Sequence, residues 1–205
     1  VKLITSNCGD VIKFAGDAIL AVFPSTSFDN NNSLATLRCS QVGLKLAGLE
    51  LIAGPQRLSV HCGMGCGEVI GYHVGGVYNR WEYAVTGDPI EQIGSSEPEA
   101  EAGQLVLAGP CVPWLVRGLI QKMPKSLRTM MSKKFEEEEL ARLKGATADK
   151  RADTSNSSGR STPEECKKDF PFQGVLNPSS GNFLLTSIDI GMTSLTPTTE
   201  MKKRD

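Results

Sequence analysis

Histidine is scarce in this chain: 205 residues contain only His61 and His73. None of the six cysteines forms a C-x-x-C pair. Cys62 and Cys66 lie close together, but no Cys/His pair follows at zinc-finger spacing, which argues against a structural zinc module. The thiols read instead as free and buried, in a reducing and therefore cytoplasmic setting. No apolar run reaches the ~18 residues of a membrane-spanning helix, and no secretory signal pattern is present. Neither sign of charge dominates, with 22 Lys and Arg against 23 Asp and Glu. Nucleic acid and membrane surface are therefore not implied as bulk partners. There is also no initiator Met, so the chain is expected to be an N-terminally truncated piece of a longer protein.

What is there is an alternation of short strands, glycine turns and helices. GDVIKFAGDAILAVFP, residues 9–24, predicts a hairpin of two β-rich runs with Gly16 free to take positive φ in the turn. Residues 33–50 predict a helix with Leu34, Leu37, Leu44 and Leu49 on one side, weakened by Gly43 and Gly48. RLSVHCGMGCGEVIGYHVGG reads as strand, glycines and strand; the glycines imply tight turns or close backbone approach. RWEYAVTGD is another strand. DPIEQIG opens a helix with Pro89 at its start. QLVLAG is a short buried strand, and Pro110 to Ile120 a short helix.

Beyond residue 120 the character changes. Residues 121–144 form a charged helix with Lys134, Glu138 and Arg142 at i,i+4 spacing. Residues 145–180 are poor in apolar side chains and predict a disordered linker. GNFLLTSIDI, 181–190, is a candidate strand returning to a domain of residues 1–120, and 191–205 reads as a disordered tail. The element order is α+β and predicts a ferredoxin-like split βαβ sheet with helices on one face.

Lys13 and Asp17 raise the question of chemistry. A lysine and a carboxylate are costly to bury unpaired, so they face solvent or a charged ligand. Asp17 alone is explained by turn chemistry, and Lys13 by a stem lying along a strand edge.

GDVIKFAGDAILAVFP resembles the central hairpin of class III nucleotide cyclases, the adenylate and guanylate cyclase catalytic domain. VHCGMGCGEVIGYHVGG, RWEYAVTGDPIEQIG and EAGQLVLAGPCVPWL resemble the segments that follow it in that family, in the same order, over about residues 5–118. The string Lys-Phe-Ala-Gly-Asp is most similar to the first, metal-bearing half of soluble bicarbonate-responsive adenylate cyclases.

The resemblance implies conversion of ATP to 3′,5′-cyclic AMP and pyrophosphate, assisted by two Mg²⁺ or Mn²⁺ ions. It implies Asp17 as a catalytic metal ligand, with the second metal aspartate on a strand upstream of this chain. Phe14, Ala15 and Gly16 would pass close to the triphosphate. Lys13 would contact either the base or an anion in the pseudo-symmetric pocket that Val85 and Gly87 line.

The pattern also breaks. Ala84 stands at the base-reading place, Glu91 where the family has asparagine, Ser95 where it has arginine, and Gly94 near the bicarbonate arginine. A carboxylate repels a triphosphate, and serine cannot replace a cationic fork. The chain is thus expected to need a complementary second cyclase domain, supplied by the same polypeptide. The rival expectation is a catalytically inactive nucleotide-binding or regulatory dimerisation module.

Overall fold

The computed structural model describes residues 1–25, 32–53, 55–148 and 171–189. The expected tail 191–205 and residues 149–170 of the expected linker 145–180 lie outside the described residues, whereas 145–148 are helical. A short helix α1 (Lys2–Thr5) leads into the hairpin β1 (Asp10–Ala15) and β2 (Ala18–Val22). Helix α2 (Asn32–Ala47) precedes a second hairpin, β3 (Glu50–Ala53) and β4 (Gln56–Ser59). Strand β5 (Cys62–Met64) is followed by a third hairpin, β6 (Ile70–Gly75) and β7 (Trp81–Thr86). Then come α3 (Asp88–Ser96), β8 (Leu105–Leu107), α4 (Cys111–Lys122), α5 (Lys125–Ala148), β9 (Phe172–Leu176) and β10 (Phe183–Ile188).

The fold is α+β. Its main sheet is mixed, with order β5-β8-β10-β9. β5 runs parallel to β8, and β10 is antiparallel to both β8 and β9. The expected single split sheet is not what forms: each of the three hairpins is a separate two-stranded sheet. The β1–β2 hairpin is set off from the β5 side of the main sheet by a cavity that both line.

Helices cover both faces of this sheet rather than one, and two glycines show why. Side chains alternate across a strand, so Cys62 and Met64 share a face with Leu105 and Leu107, while Gly63 shares the other with Val106. On the first face, Leu105 packs so closely on α2 that a Cβ on Gly43 would lie 2.9 Å from Leu105 Cδ2. Gly43 is therefore spent on contact, not wasted inside a helix. On the second face, a Cβ on Gly63 would lie 2.6 Å from the Glu97 backbone nitrogen, in the 3₁₀ turn Glu97–Glu99 that continues α3.

The core lies under α2 and α4, where Leu37, Met64, Leu107, Leu115, Leu119 and Phe183 meet. Truncating a side chain so enclosed costs about 2–5 kcal/mol. Helix α2 ends at Ala47, so Gly48 lies beyond it, and Leu49 is exposed rather than on the apolar side. Helix α5 is tied back by Arg117, which donates to Glu139 at 3.1 Å and lies over the rings of Trp114 and Phe135.

The stretch 172–176, placed by its polar surroundings within a linker, is strand β9. Phe172 and Gly174 are buried on it, and Phe172 meets Phe183 edge to face at 5.7 Å. Two buried positions in a five-residue run suffice when a neighbouring strand supplies the ladder.

Candidate functional site

The local sequence makes the β1–β2 turn. Ala15 pairs with Ala18, leaving Gly16 and Asp17 as a two-residue connection. Gly16 has φ of +65° and Asp17 is not among the positive-φ residues, the pattern of a type II′ turn. A Cβ at Gly16 would meet nothing within 4 Å, so its flank is open. Asp17 and Lys13 are both exposed, and Phe14 is 63% exposed.

Between Val11 and Lys13 the register shifts, a bulge at Ile12. Ile12 lines the cavity, whereas Lys13, Phe14, Ala15, Gly16 and Asp17 do not. The bulge separates the hairpin into a base that faces the cavity and a tip that stands clear of it.

The cavity encloses about 630 Å³. It is walled by Leu20 and Phe23 of the first hairpin, Cys39 of α2, Cys66 after β5, Val85 of β7 and Trp114 of α4, among others. Val85 thus lines a pocket, and Gly87 does not line the same one. Gly87 has φ of +123° and precedes the first residue of α3. Of the sequence-predicted residues, the tip of the hairpin keeps Lys13 to Asp17 together, while Val85 and Gly87 belong to a different neighbourhood. Ser95 turns its hydroxyl onto the Gln92 carbonyl at 2.9 Å, and Glu91 is exposed.

Asp17 offers one hard oxygen donor group, which suits one ligand position of Mg²⁺ alongside phosphate oxygens. It does not by itself make a cation site. Among the described residues, no group of three or more His, Cys, Asp or Glu side chains is arranged to hold a metal ion.

The thiols form a second feature, which spacing did not reveal. Five described cysteines are free, and four of them converge around Met64: Cys39 from α2, Cys62 from β5, Cys66 from the loop after it, and Cys111 from the start of α4. Burial pushes Cys39 up to about 12 and Cys62 up to about 11. Cys66 is the exception: a hydrogen bond from Cys111 holds its thiol below the ordinary range, against the opposing effect of burial. Cys111 is correspondingly raised, first by that bond and then by burial. The one hint in the sequence was the short Cys62–Cys66 separation; the other two sulfurs come from helices 23 residues before Cys62 and 45 after Cys66, by their numbers.

No family model matches this chain, and no curated protein does. Among solved structures, a crystal structure of the guanylyl cyclase Cya2 is similar over 55% of this chain and 59% of that one, at 24% identity and a TM-score of 0.37. Likeness at that level carries no argument about function. No helix among the described residues is long and apolar enough to cross a membrane.

Proposed function

We infer that this chain is the metal-bearing half of a class III nucleotide cyclase, acting on ATP together with a complementary second cyclase domain. The observation that carries the reading is the hairpin tip. A two-residue turn holds an exposed Asp17 beside an unobstructed Gly16, with exposed Lys13 on the same hairpin. A purely structural hairpin requires neither the lysine nor the aspartate at these places.

In this reading Asp17 holds Mg²⁺ or Mn²⁺, which when bound neutralises phosphate charge and favours ionisation of the attacking hydroxyl. Gly16 lets the backbone of Phe14 and Ala15 approach the triphosphate without steric hindrance. Lys13 supplies a mobile positive charge toward the base or toward an anion. Val85 lines the cavity at the hairpin base, and Gly87 stands just beyond it at the start of α3.

The test is cyclase activity of the intact protein that contains this chain, with Mg²⁺ or Mn²⁺ and ATP, then GTP. Asp17→Asn is expected to lower cyclic nucleotide formation at least about 100-fold, since even partners of metal ligands cost ~10–100-fold. Formation of cyclic AMP that survives Asp17→Asn overturns the metal assignment.

A second reading, a catalytically inactive cyclase-like nucleotide-binding or regulatory dimerisation module, is favoured by one observation. Glu91 and Ser95 occupy the places of the transition-state asparagine and arginine, and Ser95 is engaged with Gln92. Absence of turnover of either triphosphate by the folded protein, with nucleotide binding retained, decides for it.

A further inference from the structure

The environment of Cys66 differs from that of every other clustered thiol. The loop that carries it is pressed against α3, where a Cβ on the preceding Gly65 would lie 2.3 Å from the Pro89 carbonyl oxygen. Gln92 then grips the Cys66 backbone at two points. The Cys66 N–H donates to Gln92 Oε1 at 2.9 Å, and Gln92 Nε2 donates to the Cys66 carbonyl at 3.0 Å. The same Gln92 Oε1 lies 4.0 Å from Cys111 Sγ, and Cys111 Sγ lies 3.5 Å from the Met64 carbonyl. One glutamine thus fixes the loop against the helix start that bears the second sulfur.

Access is unequal. Cys66 is partly exposed and lines the cavity, which is far larger than a peroxide molecule. Cys111 is 0% exposed behind it. Cys39 also lines the cavity, but burial keeps it a neutral, poorly nucleophilic thiol.

We propose that Cys66 and Cys111 form a reversible redox pair that reacts with small hydroperoxides, Cys66 attacking and Cys111 resolving. The Cys66 thiolate attacks one oxygen of hydrogen peroxide; the O–O bond breaks, hydroxide leaves, and Cys66 becomes a sulfenic acid. The Cys111 sulfur then attacks the Cys66 sulfur. The S–S bond forms as the S–O bond breaks, and the Cys111 proton leaves with the hydroxyl as water. The two thiols lose two electrons and the peroxide gains them. Gln92, bonded to the Cys66 backbone at two points and 4.0 Å from Cys111 Sγ, holds the resolving sulfur beside the loop, and the lowering of the Cys66 thiol makes it the readiest of the four to ionise.

The test uses the full chain and hydrogen peroxide, and it reads mass rather than cyclase activity, so it stands apart from the proposed function. Wild type is oxidised, remaining thiols are alkylated, and peptides are mapped with and without a thiol reductant. The expected result is loss of one thiol pair, a Cys66–Cys111 disulfide, and its reversal by the reductant. Cys111→Ala is expected to stop at a Cys66 sulfenic acid that a dimedone probe captures. The wild-type map stands even if that variant fails to fold. Free Cys66 and Cys111 after oxidation of Cys8, or a disulfide joining Cys66 to Cys39, overturns the proposal.

Discussion

Asn182 donates from Nδ2 to Glu99 Oε1 at 3.0 Å, joining the start of β10 to the turn that ends α3. The same amide donates to the Ser95 carbonyl at 3.3 Å, and Asn177 donates to the other Glu99 oxygen at 3.1 Å. Asn182 is buried, so an unmatched amide there has no water to turn to. Glu99→Ala is expected to lower stability by about 1–3 kcal/mol, the cost of leaving a buried polar group underbonded. Urea denaturation checks it, and an unchanged midpoint shows that the β9–β10 hairpin docks without this carboxylate.

Two glycines on different helices predict opposite signs. A Cβ on Gly118 of α4 would lie 2.4 Å from the Ser33 carbonyl of α2, a backbone atom that cannot move aside cheaply. Gly118→Val is expected to destabilise by ~1–3 kcal/mol or more through overpacking. Gly94 of α3 has nothing within 4 Å, so Gly94→Ala is expected to stabilise by about 0.5–1 kcal/mol through helix propensity. Thermal melts of the pair separate close packing from mere glycine content.

Burial of Cys39 carries a pH signature. Its thiol is raised to about 12 in the fold, so the fold favours the neutral form. That contribution is complete below the ordinary thiol value of 9.0 and is lost as pH rises toward about 12. Each such group changes stability by at most about 1.4 kcal/mol per pH unit. Cys62, raised to about 11, adds in the same direction over the lower part of the window. Chemical denaturation across this alkaline range is expected to show falling stability, with a shallower fall in Cys39→Ala; an equal slope in both removes Cys39 as the cause.

Lys13 is exposed, so its contribution to anion binding is expected to be small and salt-sensitive. An exposed pair contributes about 0.2–1 kcal/mol, up to roughly a fivefold change in affinity. Lys13→Ala is expected to weaken ATP binding by about that factor at low salt and by less at high salt. Calorimetric titration that shows no difference at low salt leaves the lysine as a solvated strand residue.

The hairpin was legible in the sequence because its information is local. Gly16 and Asp17 stand between two β-rich runs, and the ladder closes within 13 positions, Asp10 to Val22. The start of α2, the buried strand Leu105–Leu107 and the start of α4 were legible for the same reason. What the sequence hid was contact between distant parts. Gly63 and Gly65 read as turn or close-approach residues, but their effect, a helix on the second face of the sheet, depends on where Glu97 and Pro89 arrive. β9 was hidden because Ser- and Pro-rich neighbours outweigh five residues whose partner strand lies beyond them. The four-thiol cluster was hidden apart from the short Cys62–Cys66 separation, since three elements and one loop each contribute a single sulfur. At the candidate site, the identities of Lys13 and Asp17 were plain, whereas the bulge at Ile12 that turns the hairpin base into the cavity and leaves the tip outside is a property of the register alone.

The chain has two indole rings, and the fold gives them unlike surroundings. Trp81 is 61% exposed on β7, while Trp114 borders the cavity with a guanidinium over its ring. Intrinsic emission is therefore a sum of two spatially separate reporters. A quencher dissolved in water is expected to extinguish the Trp81 component first, leaving a bluer residual signal from Trp114. Filling of the cavity then becomes readable by light alone, with no label attached, once Trp81→Phe has silenced the outer ring.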